Sequence, residues 1–339
     1  MRIAILSPRL DCNAPKPLSQ AERLAEEGND VTIFTLEAID VEPQKAKLSI
    51  LGLPKNLFLA RVYVLFFPLD LWKAIRWLPR LKEFELIIAH HYPMTWLAYL
   101  AKKIHRVKYT YWYHGIGDPA MYPHVYERIY LRIMIFLTRF TVSNADSAVA
   151  VSKFAREELK ELCGLDSQVE HNEVDTHRFH EGIDGTIIRE RYNLGDSPVI
   201  FSLGRISPQK GFHLLVQAFD IIRHSLPDAR LVIGGRPDYS YYLKQLQDES
   251  NDSVVFAGYI AAEDLPLYYA MCDLYANCSL WESFNVPIVE AQNCGKPVVA
   301  FDIGPHPEVI DENGILVETG NIEKFAQACI EKLKDVRGI

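Results

Sequence analysis

Three patterns are missing from this sequence, and each absence excludes a class of protein. No Gly-x-Gly-x-x-Gly follows the first strand of either half, which argues against a dinucleotide-dependent oxidoreductase. No uninterrupted apolar stretch is long enough to cross a bilayer, and the first predicted strand is too short to be a secretion signal. The six cysteines include no Cys-x-x-Cys pair, so we expect reduced thiols, no cysteine-bound metal and a cytoplasmic protein.

The alternation of short apolar runs with helical patterns predicts an α/β protein built on parallel sheets. A chain of 339 residues exceeds what one hydrophobic core usually covers, so two domains are expected. We predict an N-terminal domain at 1–175, a linker with a short helix at 176–196, and a C-terminal domain at 197–339. The predicted strands are 2–7, 31–36, 84–89, 108–113 and 147–151, then 198–203, 230–234, 253–257, 273–277 and 297–301.

Charge is divided unevenly between the two halves. Residues 1–165 hold 22 Lys and Arg against 17 Asp and Glu, whereas the remainder holds 14 against 27, for a net charge of −8. A basic half offers a surface to anionic partners. An acidic half that binds a diphosphate needs local cations. We expect no nucleic-acid partner.

The run Glu-Ser-Phe-Asn-Val-Pro-Ile-Val-Glu at 282–290 carries the most functional information. Pro287 is typical of a first helical turn, where unpaired backbone N–H groups favour phosphate oxygens. The predicted donors are the N–H groups of Phe284, Asn285 and Val286. Glu282 and Glu290 flank this turn and can accept hydrogen bonds from hydroxyl groups. A ligand with both phosphates and hydroxyls, such as a nucleotide-sugar, fits this combination.

Two cations are predicted close to that turn. An apolar strand at 198–203 ends at Gly204, and Arg205 and Lys210 follow it in a loop. Arg can hold two phosphate oxygens through its planar fork, whereas Lys acts as a point charge. The alternative is a pair of solvated surface cations. The neighbouring Glu pair favours a shared diphosphate over that alternative.

Together these residues resemble the family-four retaining glycosyltransferases of the GT-B fold. The resemblance continues through Asn-Glu-Val-Asp at 172–175 and Cys-Gly-Lys-Pro-Val-Val at 294–299, and it is closest from about residue 140 onward. It implies two Rossmann-like domains that face each other across a cleft. It also implies a retaining, metal-independent hexose transfer, without a cofactor, from a UDP- or GDP-linked sugar to a hydroxyl of a glycan or lipid-linked acceptor.

The same resemblance implies roles for individual residues. Arg205 and Lys210 stabilise the departing diphosphate, Glu282 orients the sugar hydroxyls, and Glu290 holds the ribose. His114, in Tyr-Trp-Tyr-His-Gly, matches a histidine that contacts the donor sugar. A turn-capping role is the alternative for His114.

Two further histidines, His90 and His91, end another predicted strand. By the same resemblance, either histidine lines the acceptor pocket. A purely structural role is the alternative.

Two departures from the family pattern affect these expectations. The stretch Leu10–Lys16 contains no glycine, although the family usually has a glycine pair after its first strand. That difference puts the acceptor geometry in doubt. Glu-Ser-Phe-Asn replaces Glu-Gly-Phe-Gly, but Asn285 tolerates a left-handed backbone better than most residues.

Two basic stretches with aromatics have the composition of helices that bind an anionic membrane surface. In the first, 69–82, Lys73, Arg76 and Arg80 share one helical face, and Trp72 and Trp77 lie beside the apolar face. This stretch predicts a peripheral membrane surface. The second, 126–140, has three arginines among apolar residues, and its pattern slightly favours an ordinary packed helix with a solvated face.

Two other functions stay open from the sequence. One is a sugar-nucleotide 2-epimerase of the same fold, which the family-like Asn-x-Val-Asp segment disfavours. The other is a non-catalytic nucleotide-sugar-binding or scaffold subunit, which the presence of all four residues Arg205, Lys210, Glu282 and Glu290 disfavours.

Overall fold

The computed structural model describes residues 1–11, 16–39, 41–54, 56–67 and 71–338. Contacts divide the chain into two units, one of Met1–Pro119 with His124–His171 and one of Ala120–Pro123 with Asn172–Ile339. The segment predicted as a linker, 176–196, clusters with the second unit. Phe179, Ile188 and Leu194 are buried in that unit's core, which explains the association. Among the described residues, no helix has the length and hydropathy that a membrane span requires.

The first unit is a seven-stranded sheet whose paired neighbours all run parallel. Its strands are β1 (Arg2–Asp11), β2 (Asp30–Ile39), β3 (Lys47–Ile50), β4 (Leu86–His90), β5 (Lys108–Tyr113), β6 (Ser147–Ala150) and β7 (Gln168–Val169). The spatial order is β3-β2-β1-β4-β5-β6-β7. Its helices are α1 (Lys16–Glu26), α2 (Leu57–Phe66), α3 (Leu71–Leu81), α4 (Met94–His105), α5 (Val125–Val142) and α6 (Lys153–Cys163).

The second unit repeats the same design with a six-stranded parallel sheet. Its strands are β8 (Val199–Leu203), β9 (Arg230–Gly234), β10 (Val254–Gly258), β11 (Leu274–Asn277), β12 (Val298–Phe301) and β13 (Ile315–Val317), in the order β10-β9-β8-β11-β12-β13. Its helices are α7 (Thr186–Arg191), α8 (Phe212–Ser225), α9 (Ser240–Glu249), α10 (Leu265–Met271), α11 (Val286–Asn293), α12 (His306–Val309) and α13 (Ile322–Arg337).

Both strand orders are those of a Rossmann-like fold, so the predicted α/β class is confirmed. In each sheet the order reverses between the first and fourth strands, which are β1 and β4 in one unit and β8 and β11 in the other. Ligands of such sheets bind outside the carboxyl ends of the strands at this reversal. We therefore expect a ligand site in the loops that follow β8 and β11.

Continuous apolar runs produce the central strands because both faces of each sheet are covered by helices. In the second unit, Ile200 packs into a core cluster on one face and Val199 and Phe201 into a cluster on the other. In the first unit, Ile87 and Ala89 of β4 join α3 and α4 side chains in one cluster.

Part of the stretch 69–82, which was predicted to face a membrane, instead packs into this core. Trp77 is almost fully buried and its ring packs edge-on against Phe34, with centroids 5.1 Å apart. Trp77 is therefore a core residue and does not face a membrane. Arg76 and Arg80 are exposed. The side chains of residues 71–75, which include Trp72 and Lys73, lie outside the described part of the chain.

Candidate functional site

A buried ion pair joins the loops that follow β8 and β11. Lys210 Nζ lies 2.6 Å from Glu282 Oε1, and the side chains are only 19% and 10% exposed. The hydroxyl of Ser279 donates to the same carboxylate oxygen at 2.8 Å. A charge pair withdrawn from water needs such extra hydrogen bonds to offset its desolvation. The structure therefore brings together two of the residues that the sequence singled out separately.

Backbone geometry fixes the position of Lys210. The turn Pro208–Lys210 is a 3₁₀ helix that ends at Gly211, whose φ is +65°. A Cβ at Gly211 would lie 1.9 Å from the carbonyl oxygen of Cys278, so no larger residue fits without a backbone shift. The amide of Leu280 donates to Gln209 at 2.9 Å. These contacts hold the lysine turn directly against the chain leaving β11.

Arg205 pairs with an acid that the sequence did not single out, Asp238. Its Nη1 lies 2.8 Å from Oδ2 of Asp238, and its side chain is 58% exposed. The aliphatic part of Lys210 passes beside Gly204, at 3.7 Å from where a Cβ of that glycine would be. Both cations are thus attached to the same short loop after β8. Arg205 is largely exposed to solvent, whereas Lys210 is mostly buried.

The turn before α11 is set by an asparagine in a left-handed conformation. Asn285 has a φ of +71° and precedes Val286, the first residue of the helix, with Pro287 in its first turn. The Asn285 amide nitrogen lies 2.8 Å from His306 Nε2. His306 Nδ1 lies 2.7 Å from the carbonyl of Phe301, which can only accept, so Nδ1 carries the proton and Nε2 accepts from Asn285.

This arrangement keeps the imidazole neutral, since burial holds the pKa of His306 below its usual range. The buried Asn–His pair holds this turn in the left-handed conformation that glycine adopts most easily. Phe284 is buried beside it, within the same loop.

Glu290 lies one turn into α11, as the sequence predicts. The hydroxyl of Tyr269 donates to its Oε2 at 2.7 Å. Burial raises the pKa of Glu290, and the Tyr269 hydrogen bond opposes that rise by favouring the ionised carboxylate. Tyr269 thus orients the carboxylate through one oxygen.

In the first unit, His90 and His114 form a hydrogen-bonded pair at the carboxyl ends of β4 and β5. His90 Nδ1 and His114 Nε2 are 2.8 Å apart, and His90 Nε2 lies 3.1 Å from Gln20 Oε1. Because the amide oxygen accepts, His90 Nε2 carries a proton and its Nδ1 accepts from His114. Burial and the charges of His91 and Lys16 lower the pKa of both rings, so both are neutral near pH 7.

The structure therefore separates the two histidines that end β4. His90 is completely buried and supports His114, whereas His91 is exposed and has a left-handed φ of +48°. The glycine-free loop after β1, residues 12–15, lies outside the described residues.

Several residues of these clusters were not predicted from the sequence. Asp238 pairs with Arg205 across 33 positions, and no local pattern signals such a distant contact. His306, Tyr269 and Gln20 each hydrogen-bond to a residue that is distant in the sequence, and only the fold brings the two partners together. Within the described residues, no group of three or more His, Cys, Asp or Glu side chains is placed to hold a metal ion.

Two protein-family models match the chain. The model described as "Glycosyltransferase Family 4" matches residues 18–178, and the model described as "Glycosyl transferases group 1" matches residues 184–337. Together the two models cover most of the chain, so the chain belongs to the glycosyltransferases that they describe. The two matches meet near the division between the two units.

The curated relatives of the chain include a GDP-mannose-dependent alpha-(1-6)-phosphatidylinositol monomannoside mannosyltransferase of Mycolicibacterium smegmatis. It is 34% identical over 213 residues, which cover 58% of this chain and 55% of the relative. The chain therefore spans about half the length of that relative. N-acetyl-alpha-D-glucosaminyl L-malate synthase of Bacillus anthracis is 28% identical over 285 residues, which cover 79% of this chain and 71% of the synthase.

Solved structures show the same fold over nearly the whole chain. Anabaena HepE in complex with UDP and glucose superposes with a TM-score of 0.80 at 22% identity, covering 99% of this chain and 91% of HepE. Sucrose-phosphate synthase from Thermosynechococcus elongatus gives a TM-score of 0.81 at 20% identity, covering 99% and 90%. These similarities establish the GT-B type of fold.

Proposed function

We propose that this protein is a retaining, metal-independent glycosyltransferase that moves a hexose from a nucleoside-diphosphate sugar to a hydroxyl group. The Lys210–Glu282 pair carries the proposal, because it sets a cation and a hydroxyl acceptor side by side at the strand reversal of the second unit. The relatives add the donor class, since one is named for its dependence on GDP-mannose and one solved neighbour contains UDP and glucose.

The proposed roles follow from the charge that develops in the reaction. When the bond between the sugar's anomeric carbon and the diphosphate oxygen breaks, the electron pair leaves with the diphosphate. Lys210 and Arg205 are assigned to that growing negative charge, which strengthens their contacts at the transition state. Arg205 is free to turn from Asp238 to a phosphate, because its side chain is largely in solvent.

The acids are assigned to hydroxyl groups. Glu282 orients the sugar, and Glu290 holds the ribose through the carboxylate that Tyr269 steadies. Phe284, Asn285 and Val286 are assigned to the phosphates through their backbone amides at the start of α11. The role of His114 in contacting the donor sugar stays a prediction.

The acceptor is proposed to be a glycan or a lipid-linked saccharide, with the protein in the cytoplasm or at the inner face of the membrane. The relative that acts on a phosphatidylinositol monomannoside favours a lipid-linked acceptor. The predicted contribution of 69–82 to membrane binding is tested by reversing the charge of Arg76 and Arg80. Unchanged binding to anionic vesicles in R76E/R80E would remove that helix from the surface.

The direct test is incubation of the purified protein with GDP-mannose, UDP-glucose and their relatives, with release of nucleoside diphosphate as the readout. We expect turnover with one donor, unaffected by EDTA, and a product whose anomeric configuration by NMR equals that of the donor. An inverted product would overturn retention, and loss of turnover in EDTA would overturn metal independence. Donor binding without any release or transfer, with or without acceptor extracts, would indicate a scaffold subunit instead.

A further inference from the structure

Helix α5 of the first unit has its apolar side in solvent. Five apolar residues, here called the α5 stripe, are all strongly exposed, and Phe136 is 68% exposed. The α5 stripe consists of Val125, Ile129, Ile133, Phe136 and Phe140. At about 100° per residue, these five fall within an arc of about 80° on the helix surface. They form one continuous strip along the whole 18-residue helix.

The opposite side of α5 faces the protein and mixes polar residues with apolar ones such as Val142. Glu127, Thr138 and Thr141 are buried there, and Thr141 bonds to Thr95 of α4 at 2.9 Å. The outward face thus departs from the usual pattern, in which a surface helix exposes polar residues to solvent. Packing within the chain therefore does not account for the α5 stripe. A contiguous exposed apolar strip of this kind marks an interaction surface.

The surroundings of the α5 stripe are basic and aromatic. Arg132 and Arg139 are exposed along one edge of it. The rings of Tyr99 and Trp96 of α4 pack at a tilt against Phe140, with ring centroids 5.4 and 6.4 Å away, and Lys103 Nζ lies 5.5 Å over the Tyr99 ring. Half-buried Trp and Tyr beside exposed Phe and Arg match the boundary between lipid headgroups and acyl chains.

The charge of the neighbouring helices points the same way. Helices α3, α4 and α5 pack side by side and together contain eight Lys or Arg and a single acid, the buried Glu127. Such a surface attracts anionic lipid headgroups. A second copy of the same face would add a second set of these basic residues, and the three helices contain no exposed acid to pair with them. Charge thus favours a membrane over self-association.

We infer that the α5 stripe, with Arg132 and Arg139 along its edge, docks the protein onto an anionic lipid bilayer. The helix lies in the interface plane, with Ile133 and Phe136 inserted among the acyl chains and the arginines at the phosphates. None of the residues of the α5 stripe is among those assigned to the donor, which are His114 after β5 and the residues of the second unit around Lys210 and Glu282. The inference therefore goes beyond the proposed function and does not depend on it.

The test is flotation of the full chain with vesicles of equal parts phosphatidylcholine and phosphatidylglycerol, and with phosphatidylcholine alone. We expect binding to the anionic vesicles at low salt that weakens at high salt. I133S/F136S and R132E/R139E should each lower the bound fraction about tenfold. V336S and K244E are matched controls, because they change an exposed apolar residue and an exposed cation in the second unit.

Three results would overturn the inference. The first is no flotation with anionic vesicles at low salt, and the second is equal flotation of I133S/F136S and the wild type. The third is a dimer in size-exclusion chromatography that I133S/F136S abolishes while vesicles stay unbound, which would assign the stripe to a second copy. Circular dichroism and donor hydrolysis by the variants separate these outcomes from misfolding and from failure of the proposed function.

Discussion

At the scale of single residues, Gly211 determines where the key lysine lies. Its positive φ and the carbonyl of Cys278 leave no room for a side chain. Gly320 also has a positive φ, of +80°, but has open space where a Cβ would be placed. The two glycines therefore separate backbone strain from steric overlap. Only at Gly211 do both apply.

We predict that G211A destabilises the second unit more than G320A does. A left-handed alanine costs about 1–2 kcal/mol at either site. Overlap with the Cys278 carbonyl should add about 1–3 kcal/mol at Gly211 only, the usual cost of overpacking. Urea unfolding of both variants provides the comparison. Equal losses would mean that the turn relaxes without cost and does not fix Lys210.

Side-chain pairs that are distant in sequence could not be predicted, whereas local features could. The Glu282–Glu290 spacing and Pro287 were enough to predict the helix start, because caps and turns depend on neighbouring residues. The pairing of Arg205 with Asp238 and of Asn285 with His306 depends on which strands lie side by side. No single-sequence pattern carries that information. Polar pairs that form between loops of neighbouring strands were therefore not predicted.

At the scale of elements, the start of α11 depends on Asn285 for two separate reasons. Its backbone is left-handed, and its side chain satisfies the buried His306 ring. Glycine retains the first property and loses the second, whereas alanine loses both. The two substitutions thus form a matched pair.

We predict that N285G lowers stability by about 1–3 kcal/mol, the cost of leaving a buried ring nitrogen without a partner. N285A should lose about 1–2 kcal/mol more, because alanine resists the left-handed conformation. Thermal or urea unfolding of both variants checks the order. If N285A proved as stable as N285G, the left-handed turn would not be what the asparagine supplies.

Some strands and helices were predicted from the sequence more accurately than others. The central strands were predicted well because their apolar runs are buried on both faces. Helix α5 is apolar on several sides, so periodicity alone did not reveal which side faces the protein. The short strands β3, β7 and β13 were not predicted, since two to four residues give too little pattern. Their pairing to longer neighbours creates them.

At the scale of the whole molecule, acid should weaken the fold through the buried His90–His114 pair. The folded pKa of His90 lies below its ordinary value of about 6.5. As the pH falls through that value, the unfolded chain takes up the proton and the folded chain does not, so stability falls. Above about pH 7.5 both states are neutral and the effect disappears.

We predict that lowering the pH from 7.5 to 5.5 costs the wild type up to about 1.4 kcal/mol more than it costs H90N, which lacks this titrating ring. Urea unfolding at the two pH values gives the four free energies needed. Identical pH dependence in both proteins would show that His90 titrates in the folded state as it does in the unfolded chain.

The central claim is that Lys210 binds the diphosphate of a nucleotide-sugar donor. The most direct measurement is calorimetric binding of a nucleoside diphosphate and of its monophosphate to the wild type, to K210A and to the control K244A. The account predicts that the wild type and K244A bind the nucleoside diphosphate about 10- to 100-fold more tightly than the monophosphate. This ratio corresponds to one charge-assisted hydrogen bond, which contributes about 1.5–3 kcal/mol. K210A should lose most of that preference while folding normally. An undiminished preference for the diphosphate in K210A would contradict the account.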